Sequence, residues 1–207
     1  MTTKLIIVRH GNTFGPNDVV TRVGGRTDLP LVESGLEQGR KLGRYLQEHN
    51  LVPVQIFTSA MSRTIQTAAK ACEVIGKQIP SEVLHTFNEI DYGQDENRPE
   101  DEVRARVGED AIKLWDEKAI APEGWHVDVP GLKQAWRDLG DRLLKEFPGQ
   151  TVMMVTHNGI ARFAEALTKD GQSAYGDKGL KLSTGAVGVF EHDGTDWVCK
   201  DWNVKPQ

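Results

Sequence analysis

Leu5-Ile6-Ile7-Val8-Arg9-His10-Gly11-Asn12-Thr13 runs four aliphatic residues straight into an arginine, a histidine and a glycine, with no polar spacer. Continuous apolar character, rather than alternation, predicts a strand covered on both faces, as in a parallel sheet. Open α/β sheets bind ligands beyond the carboxyl ends of their strands. This end carries a permanent cation, an ionisable imidazole and a glycine that lets backbone approach closely. The question for the rest of the chain is which groups join Arg9 and His10 there.

The same signature recurs at Thr151-Val152-Met153-Met154-Val155, which leads into Thr156-His157-Asn158-Gly159. Between the two, Val54–Phe57 and Glu82–His85 read as shorter strands. Val187–His192 and Trp197–Asn203 form a closing pair around Asp193-Gly194-Thr195-Asp196, whose Asp-Gly is a hairpin signal. Apolar periodicity predicts helices over 33–49, 60–75, 103–117, 133–147 and 160–168. Residues 14–31 have no period and carry Gly, Pro and Asn, the marks of a long ordered loop. Residues 118–131, with Pro122, Gly124, Pro130 and Gly131, also read as loop, and the polar segment 94–102 is unsuited to burial. Strands alternating with helices imply a three-layer α/β/α sandwich around a mainly parallel central sheet. A length of 207 residues favours one domain over 1–207, with 91–131 as a cap or insertion over the site.

Composition narrows the function classes. Hydrophobic content of 38% and charged content of 27% are those of an ordinary globular chain, and no run approaches the ~18 apolar residues of a membrane span. The N-terminal apolar run is too short for a signal peptide and lacks a small-residue cleavage site, so a cytoplasmic protein is expected. Cys72 and Cys199 stand far apart and read as free thiols. With 30 acidic against 25 basic residues the net charge is −5, which provides no electrostatic footprint for a nucleic acid. Any bound anion has to be held by a local cluster of cations.

Such a cluster falls at the predicted strand ends: Arg9 and His10 after the first, Arg63 after the second, Glu89 after the third and His157 after the fourth. Guanidinium forks match phosphate oxygens, so Arg9 and Arg63 suit a phosphoryl clamp. One histidine supplies a further donor, while the other, unprotonated at its attacking nitrogen, is a nucleophile toward phosphorus. His10, beside Arg9 in a tight strand-to-loop turn, is the expected nucleophile and His157 the donor. A carboxyl next to a bound dianion holds its proton to higher pH, which makes Glu89 the candidate acid for the leaving oxygen; Asp91, Asp95 and Glu96 crowd the same stretch. The histidines occur singly, without the paired spacing of a metal cage, so neither a metal nor another cofactor is expected.

These residues resemble a known family. Residues 5–13 look like the Arg-His-Gly signature of the histidine phosphatase superfamily, also called the phosphoglycerate mutase-like family. Gly25-Arg26-Thr27-Asp28-Leu29-Pro30-Leu31 with Gly35 is similar to its Gly-Arg-x-Asp-x-Pro-Leu stretch. Ser59–Ala68 resembles its Ser-x-x-x-Arg-x-x-Gln-Thr-Ala helix, 88–93 its acid-bearing segment and 155–159 its second-histidine motif. The resemblance implies a phosphoglycerate mutase-like fold, a phosphohistidine at His10, a phosphate pocket of Arg9, Arg63 and His157, Glu89 as proton donor, and no metal. Asn12, Asn17, Arg26 and Asn158 are further candidates for phosphate or substrate binding. Asn12 stands where the family often has glutamate or glutamine, and Asn17 lies one place beyond the expected asparagine, where Pro16 stands.

Two departures bear on activity. Gln94-Asp95-Glu96-Asn97 replaces the family's frequent Glu-Gly, and there is no counterpart of the Tyr-Gly-x-Leu-x-Gly stretch that resembles a true phosphoglycerate mutase. The expectation is therefore a metal-independent phosphatase acting on a small phosphomonoester. A mutase-type phosphotransferase and a non-catalytic phosphate-binding module are the alternatives; binding alone needs only the cations, so the histidine and glutamate speak against the latter. The expected partner is a small phosphorylated metabolite, with no nucleic acid and no membrane. Oligomeric state is left open, a homodimer included.

Overall fold

In a computed structural model describing residues 2–207, the two signature strands are neighbours at the centre of one sheet. Strand β1 (Thr3–Arg9) runs parallel to β4 (Thr151–Thr156), with Arg9 opposite Thr156. Beyond β4 lie β2 (Gln55–Thr58) and β3 (Ser81–Val83), also parallel. On the other side of β1, β5 (Val187–His192) and β6 (Trp197–Val204) run antiparallel, giving the order β3-β2-β4-β1-β5-β6. The expected mainly parallel sheet is present, and its Arg-His and Thr-His ends emerge side by side.

The central strands are apolar throughout because both faces are covered. Leu5, Ile7, Val152 and Met154 pack with Trp136, Leu139 and Leu143 of α5 (Val129–Glu146). Ile6, Val8, Met153 and Val155 pack with Leu42 and Leu46 of α1 (Glu33–Glu48) and Ala68 and Ala71 of α2 (Ser62–Ile75). Each of these buried aliphatic side chains contributes roughly 1.5–3 kcal/mol of transfer free energy, which sets the strand register firmly. The layers are those expected of an α/β/α sandwich. Among the described residues no helix is long and apolar enough to cross a membrane.

Several boundaries differ from the sequence expectation, each for a local reason. The predicted helix 103–117 is two helices, α3 (Glu100–Val107) and α4 (Glu109–Lys118), separated at Gly108, whose φ of 86° no helix accommodates. Helix α5 starts at Val129, inside the predicted loop. Asp128 caps it by accepting from the Gly131 N–H at 3.0 Å, and Pro130 enters at the first turn, where a missing N–H costs nothing. The predicted helix 160–168 is one α turn, α6 (Asn158–Ala161), followed by 3₁₀ backbone over Arg162–Leu167. There the Arg162 Nε donates to the Asn158 carbonyl at 3.2 Å, the acceptor a continuing α-helix would give to the backbone. The third strand is also shorter, and His85–Phe87 forms a 3₁₀ turn.

The polar segment 94–102 contains a buried carboxylate against expectation. Asp95 is 2% exposed, because Arg106 grips both of its oxygens and the Trp125 Nε1–H donates to it at 2.7 Å. The neighbouring Glu96 accepts from the Gly24 and Arg26 N–H groups and the Thr27 hydroxyl. Backbone bonds between Arg22 and residues 97 and 98 complete the seam that holds loop 14–31 against the segment after β3. Removing the Asp95 carboxylate leaves a buried indole N–H and a guanidinium without their acceptor. Asp95→Ala is expected to lower stability by about 2–3 kcal/mol in urea unfolding, with faster proteolysis confined to 94–125.

Candidate active site

His10 leaves β1 with its peptide N–H bound to the Thr156 carbonyl at 3.1 Å, and Gly11 follows in a turn packed directly on α1. A Cβ at Gly11 would stand 2.4 Å from the Gly35 carbonyl oxygen, so no other residue fits. The His10 ring is buried, with Nδ1 at 2.7 Å from the Gly11 carbonyl. A carbonyl only accepts, so this bond puts the proton on Nδ1 and leaves the Nε2 lone pair free. Burial, and then the charges of Arg9 and Arg63, hold the imidazole well below the ordinary histidine pKa. It is neutral at pH 7. Arg9 beside it donates through Nη1 to the Leu182 carbonyl at 3.0 Å, and its Nε is buried with no protein acceptor.

His157 stands next to His10, ring centroids 5.1 Å apart. Its Nε2 lies 2.9 Å from the Ser59 hydroxyl and its Nδ1 accepts from the Arg63 Nε at 3.3 Å. Acceptance at Nδ1 places the proton on Nε2. This ring too is held well below the ordinary value, by burial first and then by Arg63, His10 and Arg9. The sequence expectation of a charge-assisted donor therefore needs correction: the position is right, the ring is neutral, and both nitrogens are engaged.

Arg63 is corrected in the same sense. Its guanidinium is fully buried and donates to the Thr27 carbonyl at 2.8 Å and the Gly24 carbonyl at 3.2 Å, besides His157. A buried fork of five N–H donors requires acceptors, and the 24–27 loop supplies them. Neither Arg63 nor His157 is among the residues lining the cavity, although the His157 ring lies 5.1 Å from that of His10.

The cavity itself has a volume of about 420 Å³ and is lined by Arg9, His10, Asn12, Glu89 and Asn158 among others. Glu89 accepts from the Ile90 N–H at 3.0 Å and the Gly159 N–H at 3.2 Å. A Cβ at Gly159 would fall 2.2 Å from a Glu89 carboxylate oxygen, so glycine there seats the acid. Burial raises the Glu89 pKa above its ordinary value, although those two N–H groups and the two arginines pull the other way. The competing carboxylates are committed elsewhere: Asp91 to Arg26, Asp95 to Arg106, Glu96 to the 24–27 loop. None of the three lines the cavity.

The secondary candidates divide. Asn12 lines the cavity with its amide bridging Thr184 and Ser34, and Asn158 lines it while accepting from the Leu182 N–H at 2.8 Å. Asn17 is exposed and stands outside the lining, beyond a turn in which Asp18 accepts from the Gly15 N–H. Arg26 is also outside, drawn away by Asp91 at 3.0 Å and the Gly93 carbonyl at 2.5 Å. Sequence reasoning missed Arg22, Glu100, Tyr92, Trp115 and Asp116, all of which line the cavity. Arg22, Tyr92 and Glu100 lie in aperiodic stretches, where composition carries no geometry, and Trp115 and Asp116 lie on a predicted helix whose placement over the strand ends periodicity does not give.

An open α/β sheet that seats two buried neutral imidazoles and an arginine at adjoining strand ends defines the phosphoglycerate mutase-like class. Residues 5–205 match the model of the histidine phosphatase superfamily (branch 1), and the chain belongs to that superfamily of enzymes. A 2,3-bisphosphoglycerate-dependent phosphoglycerate mutase of Methylobacterium sp. (strain 4-46) is 28% identical over 197 residues, 92% of this chain and 91% of the mutase. The mutase of the same name from Bifidobacterium longum (strain DJO10A) is 31% identical over 123 residues, 59% of this chain, which spans only about half (49%) of that relative's length. Among solved structures, Bacillus stearothermophilus YhfR superposes at a TM-score of 0.76 with 26% identity, covering 97% of this chain and 96% of its own. A mycobacterial glucosyl-3-phosphoglycerate phosphatase shares the fold at a TM-score of 0.77 and 22% identity, over 97% of this chain and 98% of its own.

The two depressed imidazoles have a thermodynamic consequence. Below about pH 6.5 the unfolded chain binds protons that folded His10 and His157 refuse, so the stability present above that pH is lost on acidification. Glu89, raised in the folded state, acts oppositely but is a single group. The urea midpoint is expected to fall between about pH 7 and pH 5, and to fall less steeply in His10→Gln.

Proposed function

We propose that the protein is a metal-independent phosphatase that hydrolyses a small phosphomonoester through a phosphohistidine on His10. The observation that carries this is the His10 tautomer: Nδ1 is tied to the Gly11 carbonyl, and the ring is neutral in a cavity shared with Arg9 and Glu89. The Nε2 lone pair attacks phosphorus as the bond to the ester oxygen breaks. Glu89, whose raised pKa favours the protonated form, gives its proton to that leaving oxygen. Water then attacks the phosphohistidine, Glu89 takes back a proton, and inorganic phosphate leaves with the imidazole restored. Arg9, which lines the cavity beside His10, meets the charge on the transferring oxygens. Arg63 and His157 act next to the nucleophile, outside the cavity lining. Burial and the charges of Arg9 and Arg63 keep His10 unprotonated, and Arg63 fixes the His157 tautomer while anchoring loop 24–27.

A mutase shares the first half-reaction, and the names of the sequence relatives favour it as the second reading. The missing Tyr-Gly-x-Leu-x-Gly counterpart and the phosphatase among the structural neighbours weigh toward hydrolysis. Phosphate release from a panel of monoesters, measured with and without chelator, is expected to persist in chelator and to fall at least about 10³-fold in His10→Ala. Full activity in that variant, or interconversion of phosphoglycerates without phosphate release, overturns the assignment.

Glu89→Gln is expected to lose about 10²–10⁴-fold on an alkyl ester and far less on p-nitrophenyl phosphate, whose leaving group needs no proton. In the wild type, alkyl-ester turnover rises as His10 deprotonates below the ordinary histidine range. It falls as pH climbs through the raised Glu89 pKa, and this alkaline fall should vanish in Glu89→Gln. A full pH–rate profile for both substrates checks the pair.

A further inference from the structure

The charges around the cavity bear on what the phosphate is attached to. Besides Arg9, next to the nucleophile, the one other cation in the lining is Arg22. Arg22 is already engaged. Its Nη2 is bonded to Glu100, and its guanidinium carbon lies 5.3 Å from the Tyr92 ring centroid and 4.9 Å from that of Trp125. Its Nε has no hydrogen-bond partner but is sealed from solvent, so no ligand in the cavity reaches it. Glu100 in turn lies 3.4 Å from Arg104, which reaches Glu109 at 2.7 Å. These four side chains form a chain of alternating charge that sums to zero.

Asp116 is different. It lines the same cavity from α4, is exposed, and makes no ion pair among the described residues. Arg162, which feels the Asp116 charge, is 1% exposed beneath Trp115. That guanidinium lies 3.9 Å over the Trp115 ring and donates to the Trp115 and Asn158 carbonyls. The remaining wall includes Phe14, Val20, Val23, Tyr92 and Trp115. Apart from Arg9, an acid group on the alcohol side of a substrate would find no cation there without its own counter-charge, and one unpaired carboxylate of its own sign. A hydroxyl or an ammonium would find an acceptor.

We propose that the substrate is a phosphomonoester of an uncharged or cationic alcohol, and that Asp116 excludes esters bearing a second acid group. The proposal rests on the phosphatase assignment and adds a substrate class to it. Specificity of this kind comes from repulsion of the wrong ligand as much as from attraction of the right one.

The test is a matched pair, sn-glycerol 3-phosphate and 3-phosphoglycerate, which differ by a hydroxymethyl group against a carboxylate. Both are assayed with the full chain beside p-nitrophenyl phosphate. The wild type is expected to favour the glycerol ester by about tenfold or more in kcat/KM, since a second acid group brought beside Asp116 meets a charge of its own sign. Asp116→Asn should narrow that ratio and Asp116→Lys reverse it. Added salt should narrow it in the wild type, because an exposed charge is screened. Equal handling of the two esters, preference for 3-phosphoglycerate, or a ratio unmoved across the three proteins overturns the proposal while p-nitrophenyl phosphate turnover leaves the phosphatase assignment standing. Absence of turnover on all three esters removes that assignment, and this proposal with it.

Discussion

The parallel pairing of β1 with β4 is the constraint on which the site depends. It aligns Arg9 with Thr156, and the bond from the His10 N–H to the Thr156 carbonyl carries the register one residue beyond the strands. Two histidines separated by most of the chain thereby become neighbours. Burial of both faces holds this register, since a slip of one residue would turn every aliphatic side chain of β1 to the wrong layer. The apolar core and the polar site are one arrangement seen from two ends.

The same dryness that stabilises the sheet tunes the chemistry. Desolvation disfavours charge, so it pushes His10 and His157 toward the neutral imidazole and Glu89 toward the neutral acid. The arginines strengthen the first effect and oppose the second. A nucleophile and an acid with opposite protonation requirements can therefore coexist in one small volume. Arg63 links the parts: it reaches the loop through two carbonyls and the nucleophile's neighbour through Nε.

Much of this was legible in the chain. Leu5–Val8 and Val152–Val155 announce buried parallel strands, and the structure brings Arg9, His10, Glu89 and His157 together because strand ends are few and converge. What failed has a common physical cause. The directions of Arg63 and Arg26 were decided by acceptors distant in sequence, the Gly24 and Thr27 carbonyls for one and Asp91 with the Gly93 carbonyl for the other. Gly108 and Pro130 carried ambiguous signals that only backbone geometry resolved, as a break between two helices and as a helix entry. Asp95 looked like surface because its partners, Arg106 and Trp125, lie 11 and 30 residues further on.

The strand ends and the Gly11 turn carry the nucleophile, while Val103, Ile112, Trp115 and Trp125 share one buried apolar cluster with Leu5, Ile7 and Phe163, and Arg22 and Glu96 add polar bonds across the seam between loop 14–31 and the segment after β3. In α4 the buried Ile112 and Trp115 hold that packing while Asp116 is exposed at the cavity, so the exposed position can change with the buried ones kept. Such modularity lets one reactive centre be inherited intact while lineages diversify the molecules they accept.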